Sequence, residues 1–323
     1  MKRKHLFALL IAAVLLIGCI LAAAAHKTGA QEYTVGICQF TQHEALDAAA
    51  RGFKAALTDK FGDQVAFDEQ NANGDFSACT VIIDELLSKE ADLILADSTS
   101  ALQLASAVDT DTPILGTAVT DYETALQLKD FDGTVGGNIS GTSDLVPPEQ
   151  QAAMIRELFP DAERIGMLYC SAEMNSQYQL NTLETELTAM GYSCEAYPFV
   201  DSSDISAATE SAAAACDVIY VPTDNTAAAN AGIIANICLP AKIPVVTGDE
   251  NTGKICGAAT LSVDYYALGY ATGEMAAQIL TGEKAVSDMP IQYASGFTKK
   301  YNPEICTELG ITIPEDYTEL NAK

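Results

Sequence analysis

Apolar residues recur along this chain in two alternating periods. Short runs dense in aliphatic and β-branched residues, beginning at 33–40, end in polar clusters, and each is followed by a stretch with helical spacing. Between Glu44 and Phe61, for instance, Leu46, Ala49, Ala50, Phe53, Ala56, Leu57 and Phe61 share one helix face. The alternation predicts strands at 65–67, 92–96 and 114–119, with helices at about 76–87 and 99–108. The stretch 138–148, rich in Gly, Ser, Thr and Pro, reads as a linker. A second series follows it: a helix at 148–159, strands at 164–170, 193–199, 218–221, 245–247 and 258–261, and helices near 175–190, 205–214 and 226–239. An amphipathic helix over 265–280 precedes a tail punctuated by Pro and Gly.

Strand followed by helix, repeated, is the pattern of parallel βαβ units. Two such series predict an α/β chain of two doubly wound parallel-sheet lobes joined by a hinge, with a cleft between them. Ligands of open parallel sheets bind beyond the carboxyl ends of the strands. Six polar clusters stand at those ends: Thr41 to Glu44, Asp97 to Ser100, Thr120 to Tyr122, Ser171 to Asn175, Thr223 to Thr226 and Gly248 to Asn251. Each has two readings, because Ser, Thr, Asp and Asn are also the preferred helix N-caps. Six clusters at one edge leave side chains over to face a ligand.

The first thirty residues belong to export rather than to the fold. Lys2, Arg3 and Lys4 form a positive start, and an apolar run extends from Leu6 to Ala25. Within it Leu16-Ile17-Gly18-Cys19 matches a bacterial lipobox, in which the Cys is acylated and becomes the new N-terminus. The twenty-residue run is also long enough to span a bilayer uncleaved, and cleavage after Ala25 or Ala30 is a third route. All three place the folded part outside the membrane. The expected arrangement is a lipoprotein-type signal at 1–18, lipidation of Cys19, a tether at 19–32 and an anchor on the outer face of the cell membrane.

Composition narrows the function further. With 44 Asp+Glu against 17 Lys+Arg, the formal net charge is −27, and loss of the three basic residues with the signal takes it to −30. Such a chain repels nucleic acids and anionic membrane surfaces. Nine cysteines are spread without any C-x-x-C pair and mostly sit in apolar runs, which favours buried free thiols over metal or redox work. Gly248 to Ile255 nearly spells a phosphate loop but lacks the Ser/Thr after Lys254, and Asp249 and Glu250 would repel phosphate. Glu69 to Gly74 resembles half a calcium loop, with Thr80 where a bidentate Glu is needed. Neither H-E-x-x-H nor G-x-S-x-G occurs, and His43 is the one histidine beyond the leader region. No cofactor, metal or catalytic centre is expected.

An exported two-lobe protein without catalytic machinery points to ligand binding, and particular residues support this. Val35 to Phe40 with His43 and Ala45-Leu46-Asp47, Ala91 to Ala96, Thr120-Asp121, Gly137 to Gly141, Val221 to Thr226, Asp264 to Gly269 and Leu309 to Pro314 resemble the solute-binding component of ABC importers of the tryptophan/tyrosine type. The resemblance covers about 33–314 and implies a type I periplasmic-binding-protein fold whose chain crosses between lobes three times. It implies a first lobe of 33–140 plus about 265–323, a second lobe of 141–264, and as partners a small ligand, an ABC permease and its ATPase. Tyr122 departs from the family, where Pro often follows the Asp.

An amino-acid ligand needs donors for its carboxylate and acceptors for its ammonium. Ser98, Thr99 and Ser100, opening a helix, suit the carboxylate. Asp224, with Asp121 or Asp249, suits the ammonium. Phe40, His43 and Tyr122 would flank an aromatic or apolar side chain, with Gln39, Thr120, Ser143, Asn175 and Asn225 as further lining. A ligand sensor that signals to a receptor is the alternative, and a cleft enzyme using Asp and His43 is a more distant one.

Overall fold

The structure is a computed structural model and describes residues 32–320. The leader, the lipobox and Cys19 lie outside the described residues. In chain order the first series is β1 (Tyr33–Gln39), α1 (Glu44–Phe61), β2 (Val65–Asn71), α2 (Phe76–Ser88), β3 (Leu93–Asp97), α3 (Thr99–Ser106), β4 (Ile114–Val119), α4 (Tyr122–Leu126) and β5 (Ile139–Ser143). The second is α5 (Pro148–Leu158), β6 (Arg164–Cys170), α6 (Met174–Ala189), β7 (Ser193–Phe199), α7 (Ile205–Ala215), β8 (Val218–Val221), α8 (Asn225–Ala229), α9 (Ala231–Ala241), β9 (Val245–Thr247), α10 (Glu250–Cys256) and β10 (Ala259–Ser262). The chain ends with α11 (Tyr265–Leu280), β11 (Gln292–Tyr293), β12 (Thr298–Tyr301), α12 (Pro303–Leu309) and β13 (Thr318–Glu319).

These elements make two sheets, ordered β11-β5-β4-β3-β1-β2 and β13-β12-β10-β9-β8-β6-β7. All pairings are parallel except β10 with β12. Helices cover both faces, so β3 and β4 are buried along their whole length, as their unbroken apolar runs require. The fold class read from the sequence is the one observed.

Three crossings join the lobes, at residues 144–147, 263–264 and 294–297. After the second, α11 packs on α1 so closely that a Cβ at Gly269 would lie 1.9 Å from the Ala49 carbonyl oxygen. One at Gly52 would lie 2.1 Å from that of Tyr266, so glycine at both positions sets the helix separation.

The structure corrects the sequence reading in three places. The supposed linker at 138–148 contains β5, a buried strand, and only 144–147 crosses. Its Ile-Ser-Gly-Thr-Ser sequence carries little apolar signal because it must be thin: a Cβ on Gly141, where φ is 148°, would meet the Gly116 oxygen at 2.1 Å. Second, 265–323 does not stay with the first lobe. β11 joins the first sheet, but β12 runs antiparallel to β10 and covers that edge, with β13 beside it. Third, the helix expected at 226–239 is two helices, α8 and α9, broken at Asn230.

The eight described cysteines are free thiols and seven are buried, with the Cys38 and Cys79 sulfurs 3.2 Å apart beneath α2. Among the described residues no helix is long and apolar enough to cross a membrane.

Candidate functional site

The carboxyl ends of both sheets face one another across a narrow cavity lined by His43, Ala45, Leu46, Ala118, Thr120, Asp144, Asn175, Thr223, Asp224, Asn225, Ala228, Asp249 and Tyr265. The lobes are shut over it. His43 Nε2 lies 3.1 Å from Asn225 Oδ1 across the cleft, Gln179 Nε2 donates to Thr120 Oγ1 at 3.4 Å, and Gln103 Nε2 reaches Met174 Sδ at 3.3 Å.

Local structure explains how each side chain gets there. In β4 the register slips between Gly116 and Val119, a bulge that carries Ala118 and Thr120 to the cavity. Asp224 and Asp249 cap α8 and α10, accepting from Ala227 N and from Asn251 N and Thr252 N. Asp144 stands at the first crossing, and its Oδ2 accepts from the Tyr265 hydroxyl at 2.9 Å, at the start of α11 just past the second crossing. One hydrogen bond at the cavity wall therefore ties two of the three interlobe connections.

Glu173 is the buried hub of the second lobe's side. It is fully covered, and its Oε2 accepts from Asn225 N at 3.0 Å, Asn225 Nδ2 at 2.6 Å and Asn175 Nδ2 at 3.2 Å. Its Oε1 accepts from Thr226 N and Thr226 Oγ1, both at 2.8 Å. Beside it, Asp224 accepts from Cys170 N at 2.6 Å and Ser176 Oγ at 2.8 Å. Burial first and the Glu173 charge second push the Asp224 carboxyl up to about 8, against these two donors and Ala227 N. Burial likewise raises Asp144, opposed by the Tyr265 and Thr120 hydroxyls.

Of the residues expected from the sequence, the structure brings His43, Thr120, Asn175, Asp224, Asn225 and Asp249 to the cavity. The others lie behind or beside it. Gln39 bonds Asp47 and Asn71, Phe40 packs on Phe76 inside the first lobe, and Ser143 Oγ donates to the Thr120 carbonyl. Ser98 caps its own helix through Ala101 N, Thr99 Oγ1 accepts from Thr120 N, and Ser100 is buried, so the expected carboxylate cradle is interior structure. Asp121 caps α4 through Thr124 N. Tyr122 points into the sheet, its hydroxyl 3.0 Å from the Gly116 oxygen and 3.1 Å from that of Thr142. Cap chemistry won at these positions because their helices begin inside the first lobe's core. Sequence reasoning missed Asp144, Tyr265 and Glu173. Asp144 was hidden in the presumed linker, whereas Glu173 stood within a strand-end cluster already noticed.

Three atoms on cavity-lining residues are buried without any hydrogen-bond partner: His43 Nδ1, Asp144 Oδ1 and Asn175 Oδ1. Asn175 Oδ1 is fixed as an acceptor by its surroundings, and Asp144 Oδ1 is one once that carboxyl ionises. The Asn175 amide nitrogen is engaged with Glu173 and the Thr223 carbonyl, and the other Asp144 oxygen takes the tyrosine proton. No lysine or arginine lines the cavity. Buried acceptors without donors are costly unless a ligand supplies protons, so the cavity suits a donor-rich, positively charged group.

Comparison with known proteins agrees with this fold. The sequence profile for ABC transporter substrate binding proteins matches residues 34–323. A tyrosine-binding protein of Clostridioides difficile is 34% identical over 304 residues, which are 90% of this chain and 88% of that one. A Streptococcus pneumoniae ABC domain solved with L-Trp superposes with a TM-score of 0.84 at 31% identity, covering 88% of this chain and 96% of the other. The ligand-free, open structure of the C. difficile substrate-binding protein CD0873 gives only 0.68 at 33% identity, covering 90% of this chain and 100% of the other. With near-equal identity, the gap in superposition matches lobes that are closed here. These relatives bind solutes rather than transform them, and the chain belongs to the ABC transporter substrate-binding protein family.

Proposed function

We propose that the protein is an extracytoplasmic receptor for an aromatic amino acid, which it holds in the interlobe cavity and hands to an ABC permease. The observation that carries this reading is the set of three unpartnered buried polar atoms on His43, Asp144 and Asn175. A ligand ammonium has three N–H donors and one positive charge, and Asp144 supplies the opposing charge in a water-poor setting. Asp249 adds negative potential, and Asp224 does so once the ligand's charge ionises it. Ala45, Leu46, Ala118, Ala228 and the Tyr265 ring offer the apolar surface that an amino-acid side chain needs. The aromatic preference comes from the relatives, one named for tyrosine and one solved with L-Trp.

Mechanism follows from contacts on both sides of the cleft. A ligand touching Asp144 and His43 on one side and Asn175 on the other gains most of its contacts only when the lobes are shut, so it shifts the population towards the closed form. The closed surface is then what a permease reads. Lipidated Cys19 would hold the protein at the membrane, and the chemistry requires no change in the ligand.

Isothermal titration tests the reading with L-tyrosine, L-tryptophan, L-leucine and L-serine. Binding of either aromatic amino acid in preference to serine is expected. Absence of heat with every amino acid, or preference for an anion without an amino group, overturns it.

A further inference from the structure

Glu173 touches no part of the cavity, yet two of its bonds decide the polarity of the cavity's atoms. Its oxygens can only accept, so the amide nitrogens of Asn225 and Asn175 must face it, at 2.6 and 3.2 Å. Asn225 Oδ1 is thereby turned to His43 Nε2, 3.1 Å away across the cleft. An amide oxygen accepts, so His43 must donate from Nε2, and in the neutral ring this leaves Nδ1 as a bare lone pair. That Nδ1 is buried, unpartnered and on a cavity residue. The second amide follows the same logic, leaving Asn175 Oδ1 as another unpartnered acceptor.

We infer that Glu173 is a positioning residue that sets the ligand's chemical class, fixing two amides and through one of them the His43 tautomer so that the closed cavity presents acceptors to an amine. The inference rests on the amino-acid reading above and deepens it. Its logic makes a sharp contrast between two near-isosteric variants. Glu173→Gln places an N–H₂ where one carboxylate oxygen stood. Opposite that donor, Asn225 relieves the conflict by turning its amide, which points Nδ2 at His43 and drives the imidazole to the Nδ1–H form. The cavity atom becomes a donor facing an ammonium. Glu173→Asp keeps an acceptor-only group and keeps the sense of the relay.

The test compares L-tyrosine and L-tryptophan with 3-(4-hydroxyphenyl)propionate and 3-(indol-3-yl)propionate, which lack the amino group. The wild type should prefer the amino acids by on the order of a hundredfold or more. Glu173→Gln should reduce that preference about tenfold or more, while Glu173→Asp largely retains it. A merely structural role would weaken binding of both ligand types alike, and an unchanged ratio in a Glu173→Gln protein whose ligand-bound His43 has turned to the Nδ1–H form overturns the inference. If that variant does not fold, or keeps the Nε2–H ring because its amide nitrogen faces Thr226, Asn225→Ala cuts the relay at its next link and should lose preference in the same way; a retained ratio there is equally damaging. Nitrogen-15 NMR of His43 in the wild type saturated with its preferred amino acid, so that the lobes are shut, and with the ring neutral, provides a separate reading. An Nε2–H ring is expected, and an Nδ1–H ring overturns the relay. Should the wild type bind none of the four compounds, the amino-acid reading fails alone, because the hydrogen bond of the Asn225 side-chain N–H₂ to Glu173 lies within the second lobe, and its presence in wild type and loss in Glu173→Gln, read by NMR of that amide, still decides what Glu173 does.

Discussion

Each lobe buries one carboxylate completely near the end of a strand, and the two are treated in opposite ways. Asp97, last residue of β3, is fully covered and neither oxygen has a hydrogen-bond partner. Glu173, just beyond β6, is equally covered and receives five donors from three residues. Burial holds the Asp97 carboxyl well above the usual carboxylate range, with the Asp47 and Glu69 charges adding to it. A neutral acid in an apolar sheet is tolerable, whereas an organised set of donors asks for a charge. The same degree of burial thus yields a passive group in the first lobe and an organising group in the second.

The sharpest way to break this contrast is to remove both groups in turn. Glu173→Ala strands buried N–H groups of Asn225, Thr226 and Asn175, and we expect a loss of about 3–5 kcal/mol in urea unfolding. An effect below about 1 kcal/mol would mean that the donors find other partners and that the hub is dispensable.

Next in size is Asp144→Asn. It keeps an oxygen for the Tyr265 hydroxyl but removes the charge facing the cavity, so affinity for an aromatic amino acid should fall by about 2–4 kcal/mol while unfolding changes little. Binding should also release protons. Burial raises Asp144 and, with Glu173, brings Asp224 to about 8 in the empty site, and a cationic ligand favours the ionised forms. Affinity therefore rises with pH up to about 8, a trend that titration in buffers of different ionisation enthalpy would reveal. A flat profile would place the ligand cation elsewhere.

Asp97→Asn should behave in the reverse sense. Because the folded pKa of Asp97 lies above the roughly 3.9 of an unfolded chain, the folded state holds the extra proton between those values. Stability is complete below about pH 4 and declines as pH climbs towards the folded pKa. The amide cannot ionise, so the variant should lack this decline and be more stable than wild type at neutral pH, by about 1 kcal/mol. Urea midpoints at about pH 5 and pH 8 compare the slopes, and parallel slopes in the two proteins would refute the assignment.

The contrast also explains what could be read in advance. Alternating strand and helix periods were legible because parallel strands such as β3 and β4 are buried on both faces and must be apolar throughout. β5 was illegible for the opposite reason: close approach to Gly116 demands small residues, and Ser-Gly-Thr looks like a loop. Asp144 went unseen with it. At the strand ends the sequence named the right clusters but could not separate caps from ligand contacts, since Ser, Asp and Asn serve both. In the second lobe Asp224 and Asp249 do both, capping a helix and lining the cavity, while in the first Ser98 and Asp121 only cap. Which role prevails depends on where the opposite lobe comes to rest, and no local pattern encodes that.

Tyr122 gives the smallest and cleanest expectation. From the sequence it was a flank for the ligand; in the structure its ring is in the first lobe's core and its hydroxyl lies between the Gly116 and Thr142 oxygens. One hydroxyl proton can serve only one of these carbonyls at a time. Removing it leaves the ring's packing intact and forfeits a single buried hydrogen bond, so Tyr122→Phe should cost about 1 kcal/mol of stability. Ligand affinity should not move, because no Tyr122 atom lines the cavity. A tenfold fall in amino-acid affinity with normal stability would instead return Tyr122 to the binding site. It would also mean that the first lobe's strand ends hold more of the ligand than their caps suggest.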